Sequence, residues 1–189
     1  MSEAAVKGMT LEDFLRWEDG SDTRYELIGG FPVAMAPPAE AHRILAARLI
    51  ARIDAALASR RPCNVQPEAG VLRADRNDSY FIADLAVTCQ PNQRGRQMIE
   101  QPILIVEILS PGTERHDRLV KVPAYRQIAS VAEILLIDSE SLYAEILRRD
   151  GARWIADLVR GAEGELFLAA IGLRLGLGDL YEGIDLAPG

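Results

Sequence analysis

The chain has 189 residues, 49% hydrophobic and 26% charged, with a formal net charge of −7. That length suits one domain with a substantial core, expected as a single unit over 1–189 with residues 1–9 as a disordered tail. The acidic balance excludes a surface coated with positive charge for general nucleic-acid binding, although it leaves nucleic acid open as a substrate. No apolar run is long enough for a membrane helix, and the first residues lack the basic start and apolar stretch of a signal peptide. A soluble, cytoplasmic protein is therefore expected.

In chain order, Thr10 to Trp17 reads as a short helix, with Thr10 as N-cap and Asp13 at the capping-box position. Tyr25–Ile28, a Gly29-Gly30 turn and Phe31–Met35 read as a hairpin. Glu40 to Ser59 is an amphipathic helix with Ile44, Leu45, Leu49, Ile53 and Leu57 as its apolar stripe. Asn64–Leu72 and Tyr80–Thr88 read as strands joined by a polar turn over 74–79. After a polar loop, Ile103–Leu109 is the most apolar strand and is expected to be buried on both faces. Asp117 to Ile128 has a helical pattern that Pro123 must interrupt or begin. Glu133–Asp138 is another buried strand, and Leu142–Arg149 with Arg153–Val159 forms a hairpin turning at Asp150-Gly151. Phe167–Leu175 is expected as one more strand, and Gly178–Gly183 as a terminal helix. The two cysteines, Cys63 and Cys89, have no zinc spacing and are expected as reduced thiols.

The core order is helix, strand, strand, strand, helix, strand. That predicts an α/β fold with a mixed sheet flanked by helices, and extra β-hairpins at both ends.

Two of the strands each carry a carboxylate where a branched aliphatic would pack better: Asp84 in Ile82-Ala-Asp-Leu-Ala-Val87, and Glu107 in Ile103-Leu-Ile-Val-Glu-Ile-Leu109. Buried acids are rare unless they are paired or ligate a metal, and a hard cation such as Mg²⁺ or Mn²⁺ relieves the repulsion between adjacent carboxylates. The bland alternative pairs each acid with an arginine at a strand end. Lys7 and Lys121 are the only lysines among 21 basic residues. Lys121 follows the second acid at a distance where it could stabilise charge on a phosphate, or stand solvated on a helix.

Tyr25-Glu-Leu-Ile-Gly-Gly30, Met35-Ala-Pro-Pro38 with His42, Ile82-Ala-Asp-Leu-Ala-Val87, Val106-Glu-Ile-Leu-Ser-Pro-Gly-Thr113 and Asp117-Arg-Leu-Val-Lys-Val-Pro-Ala-Tyr125 together resemble the Uma2 family. That family belongs to the PD-(D/E)XK nuclease-like superfamily. The resemblance runs from about Leu11 to Asp138 and more weakly beyond. It implies a restriction-endonuclease-like αβββαβ core and Mg²⁺- or Mn²⁺-dependent cleavage of DNA. It also implies metal binding by Asp84, Glu107 and the backbone carbonyl of Ile108.

Leu109 stands where the superfamily motif has its lysine, and the resemblance puts Lys121 in that role. Ala83 replaces the usual proline. Glu26 matches a family glutamate that approaches the site. His42 matches a family histidine, read either as a group acting on the metal ligands, on phosphate or in proton transfer, or as a helix-end histidine. His116 and Asp117 are read as loop-capping residues, and Tyr125 as a core tyrosine, with packing on or orienting Lys121 as the alternative. A homodimer would suit the cutting of two antiparallel strands. The competing reading is a non-catalytic nucleic-acid-binding or scaffold protein on a nuclease-like fold, motivated by Leu109 and the acidic charge. A two-carboxylate sugar hydrolase is a poor third, since only Trp17 and Trp154 could stack on a ring.

Overall fold

The computed structural model describes residues 8–73 and 76–186. Helix α1 (Leu11–Arg16) begins at the expected capping box: Thr10 accepts from the Asp13 N–H and the Asp13 carboxylate accepts from the Thr10 N–H. Strands β1 (Tyr25–Ile28) and β2 (Phe31–Ala34) form the first hairpin. Gly29 and Gly30 turn it at φ +57° and +87°, a left-handed pair that only glycine adopts cheaply. Residues 1–7 of the expected tail lie outside the described residues. Gly8 and Met9 do not behave as tail, because the Met9 N–H donates to the Gly30 carbonyl at 2.8 Å and Gly8 abuts Gly30. Residues 74–75 of the expected polar turn also lie outside the described residues.

Helix α2 (Glu40–Leu57) buries Leu45, Leu49, Ile53 and Leu57, one residue per turn along a single face. Strands β3 (Asn64–Leu72), β4 (Tyr80–Thr88) and β5 (Pro102–Leu109) follow. A helical connection leads to β6 (Glu133–Asp138), and β7 (Tyr143–Asp150) and β8 (Arg153–Arg160) complete an eight-stranded sheet. β5 and β6 run parallel, which requires the helical crossover; the other pairings of the sheet are antiparallel. The expected order αβββαβ is thus present as α2, β3, β4, β5, the crossover and β6.

Two apolar clusters lie on opposite faces of the sheet. The α2 stripe packs with Leu85, Val87, Val106 and Leu135, closed by the C-terminal residues Leu166, Leu168 and Leu180. The second cluster joins Phe81, Ile105 and Leu136 to Val122 and Tyr125 of the crossover. Burying each such leucine or isoleucine contributes about 1.5–3 kcal/mol.

Three expectations are corrected. The helix expected over Asp117–Ile128 is three pieces: α3 (Glu114–His116), a π-helical turn over Asp117–Lys121, and α4 (Val122–Arg126). Pro123 explains the break, because its ring would collide with the carbonyl four residues back; the preceding Val122 N–H instead donates to the Asp117 carbonyl, five residues back. The single strand expected over Phe167–Leu175 is a hairpin, β9 (Glu165–Leu168) and β10 (Leu173–Gly176), turned at Gly172 with φ +68°. It is followed by α5 (Leu177–Tyr181). Cys63 and Cys89 are not free thiols but a disulfide. The reason is register: Asn64 opposes Thr88, so the residues flanking that rung face one another.

Candidate active site

The site occupies a split in the sheet. β3 pairs with β4 from end to end along one edge. The other edge of β4 is shared: β5 pairs with Leu85–Thr88, and β1 meets it at Tyr80. Between them, residues 81–84 of β4 have no strand on that side among the described residues. Buried backbone donors and acceptors left unpaired are costly, and side chains take the place of the missing strand. The Ile82 N–H donates to Glu26 Oε1 at 2.8 Å, and Lys121 Nζ donates to the Ile82 carbonyl at 2.9 Å. The Asp84 N–H makes a long 3.4 Å bond to Glu107 Oε2. From the other side of the split, the Ile108 N–H donates to Asp84 Oδ2 at 2.7 Å.

The opposite edge of β4 is irregular at the same level. The β3–β4 ladder pairs Pro67 with Leu85 and Ala69 with Ala83 but skips the Glu68–Asp84 rung. Glu68 has φ +49°, strained for a residue with a side chain. Beyond this rung the inward faces exchange: Ala69, Val71, Phe81 and Ala83 point to the α4 side, whereas Leu85 and Val87 point to the α2 side. Asp84 therefore sits where the two strands rotate and the ladder opens.

Lys121 is the hub. Its ammonium lies 3.0 Å from Glu26 Oε1, 3.4 Å from Asp117 Oδ1 and 3.5 Å from Glu107 Oε1, and only 5% of the residue is exposed. Burial opposes its charge, but the three carboxylates outweigh that and hold it protonated well above the ordinary lysine range. Tyr125 donates to Glu107 Oε1 at 2.6 Å and stacks edge-on against Phe81. Asp117, Lys121 and Tyr125 are spaced by four residues. In a regular α-helix each such step overshoots one turn by about 40°; the wider π turn takes some of this back and keeps all three directed at the split.

The acids differ in charge state. Burial, reinforced by the Asp84 and Asp117 charges, raises Glu107 well above the usual carboxylate range despite Lys121. Burial likewise raises Asp117, against the pull of Lys121. Glu26 goes the other way: burial would raise it, but His116, Lys121 and the Ile82 N–H together bring it below its usual value. Both histidines reach acids. His42 Nε2 is 3.1 Å from Asp84 Oδ1, and His116 Nε2 is 3.3 Å from Glu26 Oε2. The His42 Nδ1 is buried without a hydrogen-bond partner among the described residues.

All five side chains that the sequence nominated, Glu26, Asp84, Glu107, Lys121 and His42, therefore meet in one place. Three more join them: His116 and Asp117, read as loop caps, and Tyr125, which is in the core as expected and also bonds Glu107. The spacing of Asp117, Lys121 and Tyr125 was the signal available for two of these.

A divalent cation fits the chemistry of the donors. Among the described residues Glu107 Oε2 accepts only the long Asp84 N–H bond, Asp84 keeps a side chain 22% exposed, and a cation would offset the burial and the repulsion that raise Glu107. Among the described residues, no group of three or more His, Cys, Asp or Glu side chains is arranged to hold a metal ion. A cation here would therefore rely on two carboxylates, backbone and water, which is how Mg²⁺ is commonly held.

Comparison with known proteins decides the family. Residues 11–177 match Uma2, described as "Putative restriction endonuclease". The chain belongs to the Uma2 family. Its relatives include the protein slr1290 of Synechocystis sp. (strain ATCC 27184 / PCC 6803 / Kazusa), 29% identical over 175 residues, covering 92% of this chain and 91% of that one. A second protein of the same organism, sll1609, is 25% identical over 170 residues, covering 88% and 96%. Both are described as uncharacterized. Among solved structures, the chain superposes with a TM-score of 0.75 on a "putative nuclease belonging to DUF820" from Anabaena variabilis ATCC 29413. That likeness, at 16% identity over 92% of this chain and 98% of the other, establishes the nuclease-like fold. Among the described residues, no helix is long and apolar enough to cross a membrane.

Proposed function

We propose that this Uma2 protein is a divalent-metal-dependent endonuclease that hydrolyses DNA phosphodiester bonds. The observation that carries the reading is the meeting of Asp84, Glu107 and Lys121 at the split between β1, β4 and β5. Asp84, Glu107 and the Ile108 carbonyl would hold Mg²⁺ or Mn²⁺. Bound there, the ion would supply Lewis acidity toward the phosphate and lower the pKa of a coordinated water.

The chain's own groups do the rest. His42 and the Ile108 N–H orient Asp84, and Tyr125 orients Glu107. Lys121, kept charged by its three acids, neutralises negative charge that builds on the phosphoryl oxygens as water adds to phosphorus. The bond from phosphorus to the leaving nucleoside oxygen then breaks, the attacking water gives up a proton to solvent, and the leaving oxygen takes one from solvent. Lys121 occupies the role that Leu109 cannot fill.

The test is cleavage of supercoiled plasmid with Mg²⁺ or Mn²⁺ by the protein and by Asp84→Asn and Glu107→Gln. Both variants should lose at least about 100-fold in rate. Full activity in either would overturn the assignment.

One observation favours a second reading, a non-catalytic nucleic-acid-binding protein. The Lys121 ammonium is already bound by three carboxylates and a carbonyl. DNA binding that weakens with salt, without metal-dependent cleavage by the wild type, would select it.

A further inference from the structure

The loop from Cys89 to Gln101 joins β4 to β5 and is poor in acids, with Glu100 as its one carboxylate. No Asp or Glu occurs over the fifteen residues Leu85–Ile99, which contain Arg94, Arg96, Asn92 and three glutamines. The loop is tied down at its ends: Thr88 Oγ1 donates to the Glu100 carbonyl at 2.6 Å, the Ile99 N–H to the Gly70 carbonyl at 2.8 Å, and the Tyr80 hydroxyl to the Gln97 carbonyl at 3.2 Å. Ile99 packs in the cluster that also contains Phe81 and Tyr125, so the loop shares its anchor with the residue that orients Glu107.

Between this loop and β3 lies a cavity of about 300 Å³, whose polar lining includes Asn64, Gln66, Gln90, Asn92, Arg96 and Gln97. Amides are the neutral groups that match base edges, offering a donor and an acceptor side by side. Some are engaged: Gln90 Nε2 donates to Gln101 Oε1, Gln66 Nε2 to Asn64 Oδ1, and Arg96 pairs with Glu100. Among the described residues, the Gln66 carbonyl oxygen and the side chains of Asn92 and Gln97 have no side-chain hydrogen-bond partner and are available to a ligand. Arg94 is exposed and has neither hydrogen bond nor ion pair among the described residues.

The cavity borders the β3–β4 pair that carries Asp84. Its wall includes Glu68, the strained residue across the skipped rung from Asp84, and neighbouring strands are only about 4.8 Å apart. Glu68 would repel a phosphate, but its carboxylate is paired with Arg24. From Asp84 to Tyr80, which anchors the loop, is four residues, or roughly 13 Å of strand. Four base-pair steps of DNA cover about the same distance.

We infer that the β3–loop groove is the nucleic-acid recognition element of this protein. It receives the DNA strand beside the scissile phosphate: Arg94 contacts the backbone, and Gln66, Asn92 and Gln97 meet base edges. This rests on the proposed nuclease function and adds where and how the substrate is read.

The test measures binding of a fluorescent 20-base-pair duplex in metal-free buffer at several salt concentrations, alongside Mg²⁺-dependent cleavage of a randomised-sequence pool. Arg94→Gln should weaken binding to all sequences and reduce the slope of log affinity against log salt by about 1. Gln66→Ala combined with Asn92→Ala should keep that slope and flatten the cleavage preference by about tenfold or more at one or two positions. Arg153→Gln, a charge-matched change on β8, should do neither. A wild type that cuts DNA while Arg94→Gln and the double variant behave like it would overturn this inference and leave the nuclease reading intact. A wild type that neither binds nor cuts DNA would overturn both.

Discussion

Lys121 Nζ stands 3.5 Å from Glu107 Oε1, although one residue belongs to the crossover helix and the other to the central strand. An amine two positions after Glu107 on the same strand would be the direct way to place a positive charge here. Leu109 holds that position and is buried in the α4-side cluster. The π turn delivers the amine from outside the sheet instead, along with Asp117, which helps to hold it.

Removing this amine should destabilise the protein as well as silence it. Lys121→Met leaves Glu26, Glu107 and Asp117 facing one another in a buried site, which should cost about 3–5 kcal/mol by urea unfolding. The double variant Lys121→Met with Glu107→Gln should be more stable than Lys121→Met alone, because one uncompensated acid is gone. Simple additivity of the two changes would mean that the residues are not coupled.

Metal should stabilise the fold, and more so at higher pH. Glu107 and Asp117 have raised pKa values in the folded chain. In metal-free protein their ionisation therefore costs stability as pH rises above their unfolded values, near 4.5 and 3.8. Protons also compete with a cation for Glu107. Mg²⁺ at a hundred times its Kd should contribute about 2.7 kcal/mol, a Tm rise of roughly 5–10 °C for a chain of this size. The rise should be larger at pH 8 than at pH 5 in differential scanning calorimetry. Equal rises at the two pH values would argue against a site built on Glu107.

Much of this architecture was legible in the sequence because it rests on local signals. The α2 stripe, the Gly29-Gly30 turn and the apolar runs of β5 and β6 each specify their own element. Asp84 and Glu107 were visible because acids in such runs demand an explanation. The split itself was not legible: it depends on where β1 stops pairing and on the skipped Glu68–Asp84 rung, which are matters of register between distant segments. The parts that His116 and Asp117 play at the site were missed for a related reason, and Tyr125, a core tyrosine as expected, also reaches Glu107. Their roles depend on the π turn, which follows from Pro123 acting within a packed helix. The Cys63–Cys89 bond required the β3–β4 register before the two sulfurs could be seen as neighbours.

Tyr125→Phe separates orientation from charge. The ring can keep its edge-on contact with Phe81, while the 2.6 Å hydrogen bond to Glu107 is lost. Leaving that buried carboxylate short of a donor should cost about 1–3 kcal/mol. The cleavage rate should fall less than in Lys121→Met. A rate loss equal to that of Lys121→Met would place the hydroxyl in direct contact with the reaction.

Glu26 provides a pH test of opposite sign. Its folded pKa lies below the ordinary value of 4.5, since His116, Lys121 and the Ile82 N–H favour the charged form beyond the cost of burial. Its stabilising contribution is therefore fully present above about pH 4.5 and is lost as pH falls through the lower folded value. Glu26→Gln keeps an oxygen that can accept from the Ile82 N–H but removes the charge facing Lys121 and His116. The wild type should accordingly melt at a higher temperature than Glu26→Gln at pH 6–7, with the gap closing progressively below pH 4.5. Thermal unfolding of the two proteins followed by circular dichroism across this range reads the effect directly. A gap that widens on acidification would reverse the assigned sign and remove Glu26 as the charged partner of Lys121.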